Sequence, residues 1–174
     1  MTPDWREVAV ARHHDRKGFD CGVAALNEYL VRFARQNHES GGAKTFVALC
    51  DPNRILGYYS LSPGAIDYAR VPGRLTRKLG RYDVPVFRLA RLAVDRAVQG
   101  HGLGADLLLA AAERCLSVAG EVGGVALAID AKDEAAASWY ARFGAVPLLD
   151  SPLHLVLPLE TVARALAQKP PRRR

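Results

Sequence analysis

The chain has 174 residues, 49% of them apolar, a formal net charge of +6 and three cysteines. That composition predicts one folded domain over residues 1–168, large enough to bury a core, followed by a basic, flexible tail over 169–174, and it excludes a disordered chain. No apolar run approaches the roughly 18 residues that cross a bilayer, residues 1–6 lack the charged-then-apolar pattern of a secretory leader, and Cys21, Cys50 and Cys115 contain no Cys-x-x-Cys pair. Odd, scattered cysteines fit a reducing cytoplasm better than a disulfide framework or a zinc site.

In chain order, residues 7–13 alternate like a first strand. Leu26, Tyr29, Leu30 and Phe33 form the apolar stripe of an amphipathic helix. Residues 37–44 read as a flexible loop. Thr45–Cys50 and Ile55–Leu61 read as a hairpin around the turn Asp51-Pro52-Asn53. Residues 71–81 form a basic, partly helical connection, and Val84–Val94 a long strand. A helix follows over Leu103–Leu116, then a buried-type strand at Val125–Ile129 and a short alanine-rich helix at Asp133–Phe143. Short strands at Val146–Leu149 and His154–Leu159 and a helix at Glu160–Gln168 complete the chain. Early strands pair as a hairpin and later ones alternate with helices. The order predicts an α/β (α+β) fold: a central, mixed, twisted sheet of six to seven strands flanked by about four helices.

The charge is concentrated. Residues 70–91 hold seven Lys or Arg against Asp83 alone, which accounts for the whole net charge. Such a stripe attracts a polyanion; the same residues also fit a solvated surface loop. Immediately after it lies Gln99-Gly100-His101-Gly102-Leu103-Gly104, between the long strand and a helix. Small residues there bring backbone close to a ligand, and the first amides of a helix favour anions, phosphate above all. The spacing is not the G-x-G-x-x-G of a dinucleotide fold, and there is no Gly-Lys-Ser/Thr of a P-loop.

The spacing Gln99-x-x-Gly102-x-Gly104 resembles the acetyl-CoA pyrophosphate loop of the GNAT N-acetyltransferase superfamily. Downstream, Asp133-x-x-Ala136-x-x-x-Tyr140-x-x-x-Gly144 resembles a second GNAT motif, with Asp133 where Asn is common. Phe19-Asp20-Cys21-Gly22, Gly57–Leu61, Arg91–Asp95 and Ser138–Gly144 are similar to the GNAT toxins of bacterial type II toxin–antitoxin systems. The resemblance implies a GNAT fold, acetyl-CoA as co-substrate and no metal. It also implies acetylation of the α-amine of an aminoacyl-tRNA, glycyl-tRNA by default, which blocks translation in the bacterial cytoplasm. The implied partners are a ribbon–helix–helix antitoxin and a second copy of the chain.

Carried onto this sequence, the resemblance assigns Leu92, Ala93 and Val94 to the pantetheine arm. It assigns Gln99, Gly100, His101, Gly102, Leu103, Gly104 and Ala105 to the pyrophosphate, with Asp133 as a further cofactor contact. Tyr140 is the expected acid that protonates the departing thiolate, with Trp139 and Phe143 left for packing. No general base stands out: Glu28, Glu39, Asp67, Asp83, Asp95 and Asp130 qualify by charge alone. An α-amine, with a pKa of about 8 against about 10.4 for lysine, needs none. Arg74, Arg77, Lys78, Arg81, Arg88 and Arg91 are the expected tRNA contacts; for Arg88 and Arg91 a CoA contact and a salt bridge within the sheet are alternatives. Arg88 and Arg91, three apart, should face opposite sides of a regular strand. Two other functions compete: a GNAT enzyme for a protein or small-molecule amine, and a non-catalytic RNA-binding module.

Overall fold

A computed structural model describes residues 2–168; the basic tail expected at 169–174 lies outside the described residues. Seven strands make one sheet: β1 (Arg6–Ala9), β2 (Lys44–Cys50), β3 (Arg54–Ile66), β4 (Val84–Val94), β5 (Ala126–Asp130), β6 (Val146–Leu148) and β7 (Ser151–Pro158), in the order β1-β2-β3-β4-β5-β7-β6. Six helices accompany them: α1 (Ala24–Arg32), α2 (Ala34–Ser40), α3 (Gly73–Thr76), α4 (Leu103–Val122), α5 (Glu134–Ala141) and α6 (Leu159–Ala167). The predicted fold class is correct. The helix count was too low, because α2 and α3 carry no long apolar period.

Contacts divide the described residues into two units, one running to Ser62 and including Leu89–Ala111, the other comprising Pro63–Arg88 and 112–168. In the first unit β1, β2 and β3 pair antiparallel, with Val47 opposite Tyr58 and Thr45 opposite Ser60. The Thr45 and Ser60 hydroxyls are fully buried and satisfy each other at 2.6 Å. Tyr29 and Leu30 of α1 pack on Val47, Leu49, Ile55 and Tyr58, together with Phe19 and Ala93. Burying side chains of this size contributes about 1.5–3 kcal/mol each. Tyr58 stacks on Tyr29 and donates its hydroxyl to the Leu26 carbonyl at 2.7 Å. Burial pushes its phenol far above the usual range.

Three boundaries differ from the sequence reading. The first strand stops at Ala9, and residues 11–14 turn, with the buried His14 accepting the Ala11 N–H on Nδ1. Residues 37–40, expected as loop, finish α2. An Arg35–Glu39 ion pair supports that helix, and Gly41 at φ +85° ends it. Strand β3 continues past Leu61 to Ile66, a continuation that Pro63 and Gly64 concealed.

In the second unit β5 and β6 both pair antiparallel with β7. Val84, Val86, Ala126, Ala128, Leu148 and Val156 share a core with Ile66 and Val71. Leu75 and Leu79 pack against that core and Thr76 is buried, so the segment from α3 onward is pinned from one side. Along β4 the buried positions run Val84, Val86, Leu89, Ala93. Their parity changes after Val86, so the strand is not the regular one assumed for Arg88 and Arg91.

Every residue of β3 from Ile55 to Leu61 is buried. At Gly57 a methyl group would lie 2.7 Å from Leu107 Cδ1 and 2.9 Å from the Ala93 carbonyl oxygen. Gly57 is therefore where the start of α4 and the end of β4 close on β3. Gly57→Ala is expected to cost about 1–3 kcal/mol, read as a lower urea midpoint with an unchanged slope; a variant as stable as the parent would contradict this packing.

Candidate active site

The first unit builds the glycine turn from backbone outward. After β4 comes a 3-10 turn, Arg96–Val98, and then α4. The Gly102 carbonyl accepts the Asp106 N–H at 3.1 Å, which makes Gly102 the N-cap residue. Most helices place Ser, Thr, Asp or Asn here, and that side chain satisfies an amide of the first turn. Glycine has none to offer, so the amides of Leu103, Gly104 and Ala105 stay available to an outside acceptor. Gly100 and Gly102 sit at φ +81° and +89°, and a Cβ on either would meet nothing within 4 Å. The front of the turn is open space beside a 20-residue helix dipole, which fits a phosphate group.

Each predicted cofactor residue can now be placed. Gly100, His101 and Gly102 are exposed on the turn, and Gly104 and Ala105 are half-buried on the first turn of α4. Leu103 is buried: its side chain anchors the helix toward Gly57, and only its amide faces the turn's function. Gln99 is a clamp. Its Nε2 donates to the Cys21 carbonyl at 3.0 Å and to the Val94 carbonyl at 2.8 Å. That use engages the Val94 carbonyl. Ala93 points into the core, and Leu92 is half-buried.

Behind the turn lies a carboxylate network that the sequence reading missed. Asp95, buried, accepts the Ala97 N–H on one oxygen (2.9 Å) and the Asp20 N–H on the other (3.1 Å), while its own N–H bonds Leu56 O at 2.8 Å. Asp20 accepts from the Gly22 N–H and from Asn27 Nδ2, both at 2.9 Å, and pairs with Arg96. The Gly22 and Asn27 bonds, with Arg96, hold its carboxyl below the usual carboxylate range. Asn27 Oδ1 accepts the Cys21 N–H at 2.9 Å. The signal in the sequence was an aspartate directly after a strand and an Asp-Cys-Gly followed by Asn27; both are local cap chemistry.

The second unit carries the other motif. Asp133 is the N-cap of α5, and its Oδ1 accepts the Ala136 N–H at 2.8 Å. Asp and Asn cap equally well, so the departure from Asn leaves this role intact. The Asp133 Oδ1 thus holds the start of α5. Gly144, at φ +99°, terminates the same element, its N–H bonding Ala141 O at 3.0 Å. Cap and stop fix Tyr140 on the last turn. Its ring meets Trp139 edge-on at 4.9 Å, and Trp139 in turn packs on Phe143 at 4.8 Å. Burial pushes the Tyr140 phenol up to about 12, so it stays protonated across the physiological range and can donate but not accept a proton.

The base candidates have other partners. Asp95 is a structural hub, Asp67 caps a 3-10 turn through the Ala69 N–H, and Glu28 and Glu39 pair with Arg32 and Arg35. Asp130 lies 3.8 Å from His154, and Asp83 is exposed. Of the basic residues, Arg74, Arg77, Lys78 and Arg81 are exposed, and no ion pair among the described residues engages them. Arg74, Arg77 and Lys78 are spaced three and four apart along α3 and its exit, opposite Leu75 and Leu79. Arg88 lies across Gly64, where a Cβ would come within 2.7 Å of its Nε. Arg91 is spent on a cation–π contact, 3.6 Å above the Tyr29 ring. Arg70 pairs with Asp150 at 2.8 Å.

Gln99→Glu tests the clamp. A carboxylate facing two carbonyl oxygens loses both bonds and has a raised folded-state pKa, so the penalty is present above the ordinary carboxyl range and fades below it. The variant is expected to lose about 1–3 kcal/mol of stability at neutral pH and to recover part of it as pH falls toward about 4 to 5. Unfolding midpoints that track the parent at every pH would refute the clamp.

With this geometry in hand, the likeness to known proteins is specific. The acetyltransferase (GNAT) family matches residues 20–145. A tRNA-acetylating toxin of Mycobacterium tuberculosis is 40% identical over 152 residues, covering 87% of this chain and 90% of that relative. AtaT complexed with acetyl-methionyl-tRNAfMet is similar at a TM-score of 0.87 and 27% identity, covering 94% of this chain and 99% of that one. A mutant AtaT toxin bound to the C-terminus of the antitoxin AtaR and acetyl-CoA is similar at a TM-score of 0.79 and 26% identity, covering 95% and 99%. The chain belongs to the GNAT acetyltransferase family.

Proposed function

We propose that this acetyltransferase moves the acetyl group of acetyl-CoA onto the α-amine of an aminoacyl-tRNA, and that it is the toxin of a toxin–antitoxin pair. What carries the reading is the 40% identity, across nearly the whole chain, to a tRNA-acetylating toxin. The exposed cations of α3 and its exit support it independently: a polyanionic acceptor suits them and a polyamine does not.

Acetyl-CoA supplies the activated acetyl thioester. The amides of Leu103, Gly104 and Ala105 hold its pyrophosphate at the uncapped start of α4, and Gly100, His101 and Gly102 shape the approach. Leu92, at the end of β4, offers backbone to the pantetheine arm. Tyr140 donates its phenolic proton to the departing sulfur and is reprotonated by the proton that the amine loses through water. No carboxylate base is assigned, since an aminoacyl α-amine is partly neutral near pH 7. Arg74, Arg77, Lys78 and Arg81 position the RNA through phosphates, with Arg88 as a further contact. The acceptor amino acid is taken as glycine, the default of the resembling toxins; the AtaT complex carries methionine. The partner is an antitoxin, a reading that the antitoxin-bound AtaT supports, taken to be of the ribbon–helix–helix type that the resemblance implies, and a second copy of the chain completes a dimer in the bacterial cytoplasm.

Mass spectrometry of bulk aminoacyl-tRNA treated with enzyme and acetyl-CoA should reveal N-acetylglycyl-tRNA. Acetyl on another amino acid changes the acceptor, and absence of any acetylated aminoacyl-tRNA overturns the function. Tyr140→Phe should cut kcat about 100-fold or more while leaving acetyl-CoA affinity and stability intact. For the parent, the rate should rise through the amine pKa of about 8 and stay level at pH 10, because Tyr140 is still protonated there; a fall between pH 9 and 10 would assign the proton to another group. Replacing Arg74, Arg77, Lys78 and Arg81 together by Gln should raise KM for tRNA and flatten its salt dependence, by about 0.7–0.9 in log–log slope per lost phosphate contact, with KM for acetyl-CoA unchanged.

A further inference from the structure

Tyr82 stands out in the segment between α3 and β4. It is 82% exposed, the most exposed of the large apolar side chains noted among the described residues. An aromatic ring of that size left in water forgoes about 1.5–3 kcal/mol of burial, and nothing in the fold uses it. Its setting is the basic segment: Arg77, Lys78 and Arg81 lie within five residues before it, all exposed, and Asp83 is the lone acid. The ring is not loose over open chain. Its Cδ2–Cε2 edge rests beside Gly80, where a methyl group would sit 3.0 and 3.1 Å from those atoms. Any larger residue at position 80 pushes the ring aside. The base of the segment is fixed on the other side, because Thr76 and Val84 are buried and Leu75 and Leu79 pack into the core.

A largely exposed aromatic ring seated beside a glycine, among exposed cations that can take phosphates, is an arrangement by which proteins hold unpaired nucleobases. We propose that Tyr82 is a stacking platform for an unpaired nucleobase of the RNA substrate, within the single-stranded 3′ end of a tRNA, while Arg77, Lys78 and Arg81 take the adjoining phosphates. This rests on the aminoacyl-tRNA reading above and adds a positioning residue to it. Stacking is tolerant of base identity, since every base presents a π face. Tyr82 therefore sets where the strand lies and not which bases it contains.

The test is a binding measurement, separate from acetyl transfer. Affinities of the parent, Tyr82→Ala and Tyr82→Trp are measured for deacylated tRNA and for the same tRNA trimmed of its single-stranded 3′ end. Tyr82→Ala should weaken binding of the intact tRNA by about 5- to 160-fold, the range of one stacked base, and should not change binding of the trimmed one. Tyr82→Trp should bind the intact tRNA at least as well as the parent. Equal losses on both RNAs, or no loss on either, would overturn the proposal. Acetylation of aminoacyl-tRNA by the parent reports on the function reading separately. A parent that binds RNA in the tail-dependent way but transfers no acetyl group would refute that reading and leave Tyr82 as a base platform.

Discussion

The buried carboxylate of Asp95 holds the glycine turn and its surroundings together. It stands where β4 ends, and it ties three pieces of backbone to one point: its own strand, the turn at Ala97 and the Asp20 segment that leads into α1. Gln99 adds a second cross-tie between Cys21 and Val94. The turn between β4 and α4 therefore needs no side chain of its own to keep its shape. Gly102 can be the N-cap, and the amides of the first helical turn stay open for a ligand. A serine at that position would satisfy one of those amides and hold the helix better, at the expense of an open anion site.

The same economy appears on the other motif in a different form. There the N-cap is filled, by Asp133, and the end is closed by a left-handed glycine. A short helix with both ends specified holds its last-turn side chains steadily, and Tyr140 is one of them. Burial then keeps its phenol protonated. One helix starts at a glycine with no capping side chain, and one is specified at both ends.

Gly57 shows how far the fold's close contacts reach. It is the point where β3, the end of β4 and the first turns of α4 meet within methyl distance. In the sequence it stands as one member of Gly57-Tyr58-Tyr59-Ser60-Leu61, a pattern that resembles a family and offers no local reason for a glycine. Arg91 is a similar case. As a charge in a basic stretch it counts as a tRNA contact; as a side chain it lies on Tyr29 and closes the edge of a core.

The sequence by itself determined the elements with strong periodicity, the fold class and the two motifs, because a 3.6-residue stripe, a continuous apolar run and a glycine at a turn each leave a local mark. It also marked the glycine start of α4 and the capped ends of the Tyr140 helix, since cap chemistry is written in neighbouring residues. Only the tertiary structure decided what Asp95, Asp20, Gln99 and Asp133 do. A carboxylate or an amide reads alike whether it binds a ligand or a backbone N–H, and the choice is made by partners as far as 78 residues away in the chain. The same holds for α2 and the far end of β3. An ion pair and a glycine stop hold the one, and pairing carries the other through Pro63 and Gly64. Neither force has a period that a single sequence displays.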